Sequence, residues 1–66
     1  MSKLYTVTFA WGDGIYCTNL VKADNPDAVE IYYERKYDAV LGVRECSAVE
    51  AESYKKRGMP FTDLTA

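Results

Sequence analysis

The stretch LYTVTFAWGDGIYCTNLVKA, residues 4–23, restricts the fold more than any other part of the chain. In residues 4–11, Tyr5, Val7, Phe9 and Trp11 point one way and Thr6, Thr8 and Ala10 the other. A period of two in aromatic and β-branched residues marks a strand with one buried face. Residues 15–23 form a second strand-like run, and Gly12, Asp13 and Gly14 separate the two. Asp-Gly between apolar runs favours a two-residue type I′ hairpin turn, whose central residues both need positive φ. That register predicts Trp11 opposite Tyr16, Phe9 opposite Thr18, Val7 opposite Leu20 and Tyr5 opposite Lys22. Tyr5, Val7, Phe9, Trp11, Tyr16 and Leu20 then share a core face. The other face carries Thr6, Thr8, Ala10, Ile15, Cys17, Asn19 and Val21, a mixed surface suited to cover by a second helix or a partner chain. A three-residue loop would instead set Trp11 opposite Ile15.

Beyond the hairpin, Asp24-Asn25-Pro26-Asp27 reads as a helix start. Asp24 or Asn25 can cap free amides, and proline is welcome in the first turn. The helix is predicted to run to about Tyr37, with Ala28, Val29, Tyr32, Tyr33 and Tyr37 able to cover a sheet and Ile31 off that stripe. Residues 39–46, AVLGVREC, read as a third strand in which Gly42 hints at a bulge or a close backbone approach. Ser47 followed three residues later by Glu50 fits a capping box, opening a shorter helix to Arg57 that Gly58 and Pro60 end. The tail MPFTDL fits a short edge strand or an ordered extension. The order ββαβα, with room for a last short strand, predicts an α+β domain. Its antiparallel sheet would have about three strands packed against the first helix.

At 66 residues the chain makes one small domain, residues 1–66. So short a chain buries only about 60% of the surface its unfolded form exposes. Its six tyrosines, two phenylalanines and one tryptophan are therefore read first as bulk for a small core. No apolar run approaches the ~20 residues of a membrane span, and the start MSKLYTV lacks a signal-peptide pattern. The expectation is a soluble, cytoplasmic protein that does not engage membranes.

The catalytic inventory is thin. There is no histidine, so the commonest general base near neutral pH is missing. Cys17 and Cys46 are too few for a disulfide framework and read as two free buried thiols. Asp13, near Cys17 in sequence, would raise a thiol pKa rather than lower it. Glu50 and Glu52, two apart on a helix, do not face each other. No ligand set for zinc or another metal is visible, and Gly12-Asp13-Gly14 leads into a strand, unlike a phosphate-binding loop. The chain is expected to be no enzyme, with no metal and no cofactor.

Two binding classes remain. In the first, the chain grips a protein, homodimerisation being one form of this, with Trp11, Tyr16, Tyr32, Tyr33 and Arg57 as anchors because tyrosine, tryptophan and arginine are the usual hot-spot types. In the alternative, Lys55, Lys56 and Arg57 hold the phosphates of single-stranded nucleic acid. The net charge of −2 weighs against that alternative. So does the position of these bases at a helix C-terminus, which the helix dipole favours anyway.

Taken together, YTVTFAWGDGIYCTNLVKA, VEIYYERKYDAV and KKRGMP resemble a group of short proteins of gut-type bacteria found near conjugative or phage-like elements. The similarity runs from about Leu4 to Pro60. It implies a small accessory or regulatory protein of bacterial origin, and it assigns no catalytic or binding residue.

Overall fold

β1 (Lys3–Trp11) and β2 (Ile15–Ala23) form the hairpin that the alternation predicts. The structure, a computed structural model, describes residues 2–37 and 39–65. Its loop has three residues, and Trp11 stands opposite Ile15, Phe9 opposite Cys17, Val7 opposite Asn19 and Tyr5 opposite Val21. This replaces the two-residue register. A type I′ turn would need positive φ at Asp13, but the positive values fall on Gly12 (+67°) and Gly14 (+74°) on either side of it. Glycine takes that conformation with no Cβ penalty, so three residues close the loop at lower cost than two.

The change of register moves every side chain of β2 to the other face. Tyr16 and Leu20 leave the side of Tyr5, Val7 and Phe9, and Cys17, Asn19, Val21 and Ala23 take their places. Val21 and Ala23 become fully buried, and Leu20 is fully buried on the opposite side. Both faces therefore carry core, where the two-residue turn would have left Val21 among threonines.

α1 (Pro26–Lys36) begins as expected: Asn25 is its cap, accepting a 2.8 Å hydrogen bond from the Ala28 amide, with Pro26 in the first turn. Val29 and Tyr33 are buried, Ala28, Tyr32 and Tyr37 partly so, and Ile31 is exposed. The helix lies on the face of Tyr5, Val7, Phe9, Val21 and Ala23. Phe9 packs against Tyr33 and Tyr37 with ring centroids 5.0 and 4.2 Å away. Burying a large apolar side chain in such a cluster contributes roughly 1.5–3 kcal/mol.

β3 (Ala39–Cys46) joins the β1 edge of the hairpin, antiparallel. Its register slips by one residue between Thr8 and Phe9, where Leu41 is the extra residue next to Gly42. α2 (Ala48–Lys56) carries the capping box, with the Ser47 hydroxyl accepting from the Glu50 amide and the Glu50 carboxylate accepting from the Ser47 amide. β4 (Phe61–Asp63) pairs parallel with β2, so the four-stranded sheet is mixed, in the order β3-β1-β2-β4. Just past β4, the Leu64 amide donates to the Lys22 carbonyl at 2.8 Å.

Chain handedness explains the layering. The crossover through α1 runs from β2 to β3, and that through α2 runs back from β3 to β4. Two crossovers of the usual right hand that travel in opposite directions along one sheet must cover opposite faces. α2 accordingly packs on Leu20 and Cys46, away from α1, with Leu4, Tyr54 and Met59 completing this second, smaller core. Among the described residues, no helix is long and apolar enough to cross a membrane.

Candidate functional site

α2 covers only the part of its face around Leu20, Cys46 and Leu4. The hairpin-side remainder is an open trough of about 520 Å³. Its floor follows from the strand registers. Thr6 faces Arg44 on one rung, and on the next Thr8 lies between Gly42 of β3 and Thr18 of β2. The Thr8 and Thr18 hydroxyls are 3.2 Å apart and bond to each other. Tyr54 and Met59, at the end of α2 and just after it, close the trough on one side, and Leu41 borders it on the other. Leu41 is 57% exposed, and Tyr16, two residues before Thr18 on the same side of β2, is 63% exposed.

The five expected anchors do not form one surface. Trp11 and Tyr16 lie on opposite sides of the hairpin, because Trp11 faces Ile15 rather than Tyr16. On the α1 side, Tyr37 closes over Phe9, and Trp11 one step further along is left 47% exposed beside Ile15 at 45%. The indole N–H of Trp11 donates to the Cys17 sulfur at 3.1 Å. Tyr33 is a core residue, 1% exposed, whose hydroxyl accepts from the Asn19 side-chain amide at 3.2 Å. Its burial in a cluster with Phe9 and Tyr37 takes it out of reach of a partner. Tyr32 is half-buried under Lys36, whose ammonium lies 4.8 Å from its ring centroid. A hydrogen bond with Tyr32 holds that ammonium above the ordinary lysine value. Arg57 is exposed at the C-cap of α2, beside Lys55 and Lys56.

Leu41 and Arg44 of the trough carry no local signal in the sequence. The signal for Gly42 was present as the break in the third strand, but the side chains it opens onto depend on strand order. That order places β3 against β1 and so sets Arg44 and Gly42 beside the threonines.

A second hollow, about 550 Å³, runs along α1 between Ile31 and Leu64, with Arg35 and Lys36 at its rim. Across Ile31 it meets Asp27, Glu30 and Glu34. Glu30 shares a hydrogen bond with Glu34, which together with the repulsion between the two carboxylates holds the Glu30 carboxyl above its ordinary value. This side is electrically mixed.

Cys17 and Cys46 are both free and lie in different cores on opposite faces of the sheet. Burial, and then the negative charge of Glu50, push the Cys46 thiol above its ordinary pKa, which leaves it a poor nucleophile at neutral pH. Among the described residues, no cluster of three or more Cys, Asp or Glu side chains is placed to hold a metal ion. No family model, curated protein or solved structure matches the chain.

Proposed function

We propose that the chain is a non-catalytic binding module that grips a protein partner over the uncovered half of the α2 face. It would be a small bacterial accessory or regulatory protein acting in the cytoplasm. The observation that carries this reading is the concentration of exposed large apolar side chains at the hairpin end of the sheet: Tyr16 and Leu41 on the trough side, with Trp11 and Ile15 on the opposite, α1 side. A chain this small has few bulky residues to spare from its core, and tyrosine and tryptophan are the usual centres of binding energy at interfaces. The absence of histidine and the raised pKa of the buried thiol support a role without catalysis.

One observation favours a second reading. Lys55 lies 4.8 Å from the ring centroid of the exposed Phe61, next to Lys56 and Arg57, a pairing of cation and aromatic ring of the kind that holds single-stranded nucleic acid. Lys55 also reaches Glu52 at 4.0 Å, which reduces the charge it offers.

Capture from bacterial lysate with the immobilised chain, with and without nuclease and beside light scattering of the pure protein, separates the readings. Partners that resist nuclease and high salt, and that are lost when Tyr16→Ser and Leu41→Ser are combined, are the expected result. A doubled mass in solution, lost in the same variant, would make the partner a second copy. Partners removed by nuclease, by salt or by charge reversal at Lys55 and Lys56 would transfer the function to the end of α2. A monomer that captures nothing would overturn both readings.

A further inference from the structure

We propose that the trough on the α2 face is a docking site for an acidic segment of the partner protein, whose Asp or Glu carboxylate lies between the Arg44 guanidinium and the hydroxyl row of Thr6, Thr8 and Thr18. The proposal rests on the protein-binding reading above and names the chemistry of its partner.

Charge points to an anion. Among the described residues, Arg44 is the only charged one lining the trough. Among the described residues it takes part in no ion pair; the two that form join Lys3 to Glu45 and Lys55 to Glu52. Glu45, its neighbour in the chain, points to the other face by the alternation of β3 and is held by Lys3 at 3.5 Å. In a chain of net charge −2, the described residues that line this hollow include one cation and no acid. Guanidinium presents several N–H donors to a carboxylate at once.

The hydroxyls point the same way. Thr8 and Thr18 share one hydrogen bond in which either oxygen can be the donor. Two hydroxyls carry two protons and the bond uses one, so the pair can still donate one proton to an arriving oxygen. Thr6, directly opposite Arg44, adds a third hydroxyl on the neighbouring rung.

Gly42 supplies an independent observation. Glycine inside a strand costs stability and commonly marks a close approach of another chain or a ligand. Here neither backbone nor packing requires it: Gly42 is not among the positive-φ residues, and a Cβ built on it meets nothing within 4 Å. Its effect is to leave the floor beside Thr8 open between Leu41 and Arg44.

The flanks distinguish a peptide from a bare anion. Tyr54, Met59 and Leu41 offer apolar surface around the single charge. Methionine adapts its shape to an incoming side chain. A carboxylate carried between apolar neighbours fits both parts.

The test selects random linear peptides displayed on phage against the immobilised intact chain. The selected sequences are then titrated as free peptides while the backbone amide signals of isotope-labelled protein are followed. The expected peptides carry Asp or Glu beside an apolar residue and move the signals of Thr6, Thr8, Gly42 and Arg44. Replacing the carboxylate by its carboxamide should weaken them about tenfold, the scale of one charge-assisted hydrogen bond, and Arg44→Gln should do the same. Gly42→Val should abolish binding while the melting temperature holds or rises. No enrichment, peptides without acidic residues, equal binding of the carboxamide, or signals moving elsewhere would each overturn the proposal. So would inorganic phosphate acting at the same concentration as the peptide, which would mark a bare anion site. Lysate capture that survives Arg44→Gln and Gly42→Val but not the Tyr16→Ser, Leu41→Ser pair would sink the acidic-segment proposal alone. Capture absent from the unaltered chain would sink the protein-binding reading beneath it.

Discussion

Trp11 stands directly opposite Ile15 across the hairpin, and this pairing decides which face each residue of β2 joins. It places Val21 and Ala23 under α1 and Leu20 under α2, so one three-residue loop sets the composition of both cores. The loop in turn depends on the two glycines that take positive φ.

The glycines should therefore differ in what they tolerate. Gly14→Ala is expected to lower stability by about 1 kcal/mol, because an alanine at φ +74° is strained even with open space around it. Gly42→Ala, with open space and no such φ, should be neutral or stabilise by up to about 1 kcal/mol. Urea denaturation of the two variants, compared at equal m-values, checks the contrast.

The hydrogen bond from Asn19 to the Tyr33 hydroxyl joins β2 to α1. Tyr33→Phe keeps the ring packed against Phe9 and Tyr37 and removes only the acceptor. A loss of about 1 kcal/mol is expected. In a double-mutant cycle with Asn19→Ala, most of that loss should appear as coupling between the two positions. Independent, additive effects would show that the bond contributes nothing.

At the start of α2, Ser47→Ala removes a cap that satisfies a free amide and should cost about 1 kcal/mol, whereas Ser47→Asp should cost little. Because α2 holds its face mainly through Ala51 and Tyr54, hydrogen exchange in Ser47→Ala should quicken across α2 before it does in β1.

The thiols should respond separately to reagent and to pH. Cys17 should be alkylated before the more deeply buried Cys46, and its modification should alter the emission of Trp11, the chain's single tryptophan and its hydrogen-bond partner. Mild oxidation should form no bridge within one chain, since the sheet separates the two sulfurs. The Cys46 pKa is raised in the folded state, so its contribution is fully present below the unfolded thiol value of about 8.5 and is lost as pH rises through the folded value. Cys46→Ala should flatten the decline in stability over that alkaline range, as read from denaturation at a series of pH values.

Much of this architecture was legible from local chemistry. Asn25 with Pro26, and Ser47 with Glu50, announce their helices because caps act within one turn. β3 occupies residues 39–46 as expected, and the tail supplies the short fourth strand. The register departs from the two-residue expectation because Asp13-Gly14 satisfies a local turn rule, while Gly12, one residue earlier, offers a better position for positive φ. Strand order was not legible at all, since the exposed and buried positions of β3 suit either hairpin edge until the bulge at Leu41 is known. The candidate site suffered most. Trp11 and Tyr16 flank the loop in sequence and pair across the strands in the two-residue register, but one residue of register sends them to opposite faces. Tyr33 and Tyr32, neighbours in sequence, differ because only Tyr33 points along the stripe that meets Phe9. Arg44 and Gly42 matter through what β1 places beside them, and no local pattern records that.

The hydrogen bond from Leu64 to Lys22 brings the end of the described chain back beside its start, since Lys22 faces Leu4 across the hairpin. Entry and exit thus share one pole of the molecule, and the Gly12–Gly14 loop marks the other, a nine-residue strand or roughly 30 Å away. Anything attached beside Leu4 or Leu64 is therefore held at the pole away from the loop. A tether at that pole leaves the hairpin end of the trough turned outward.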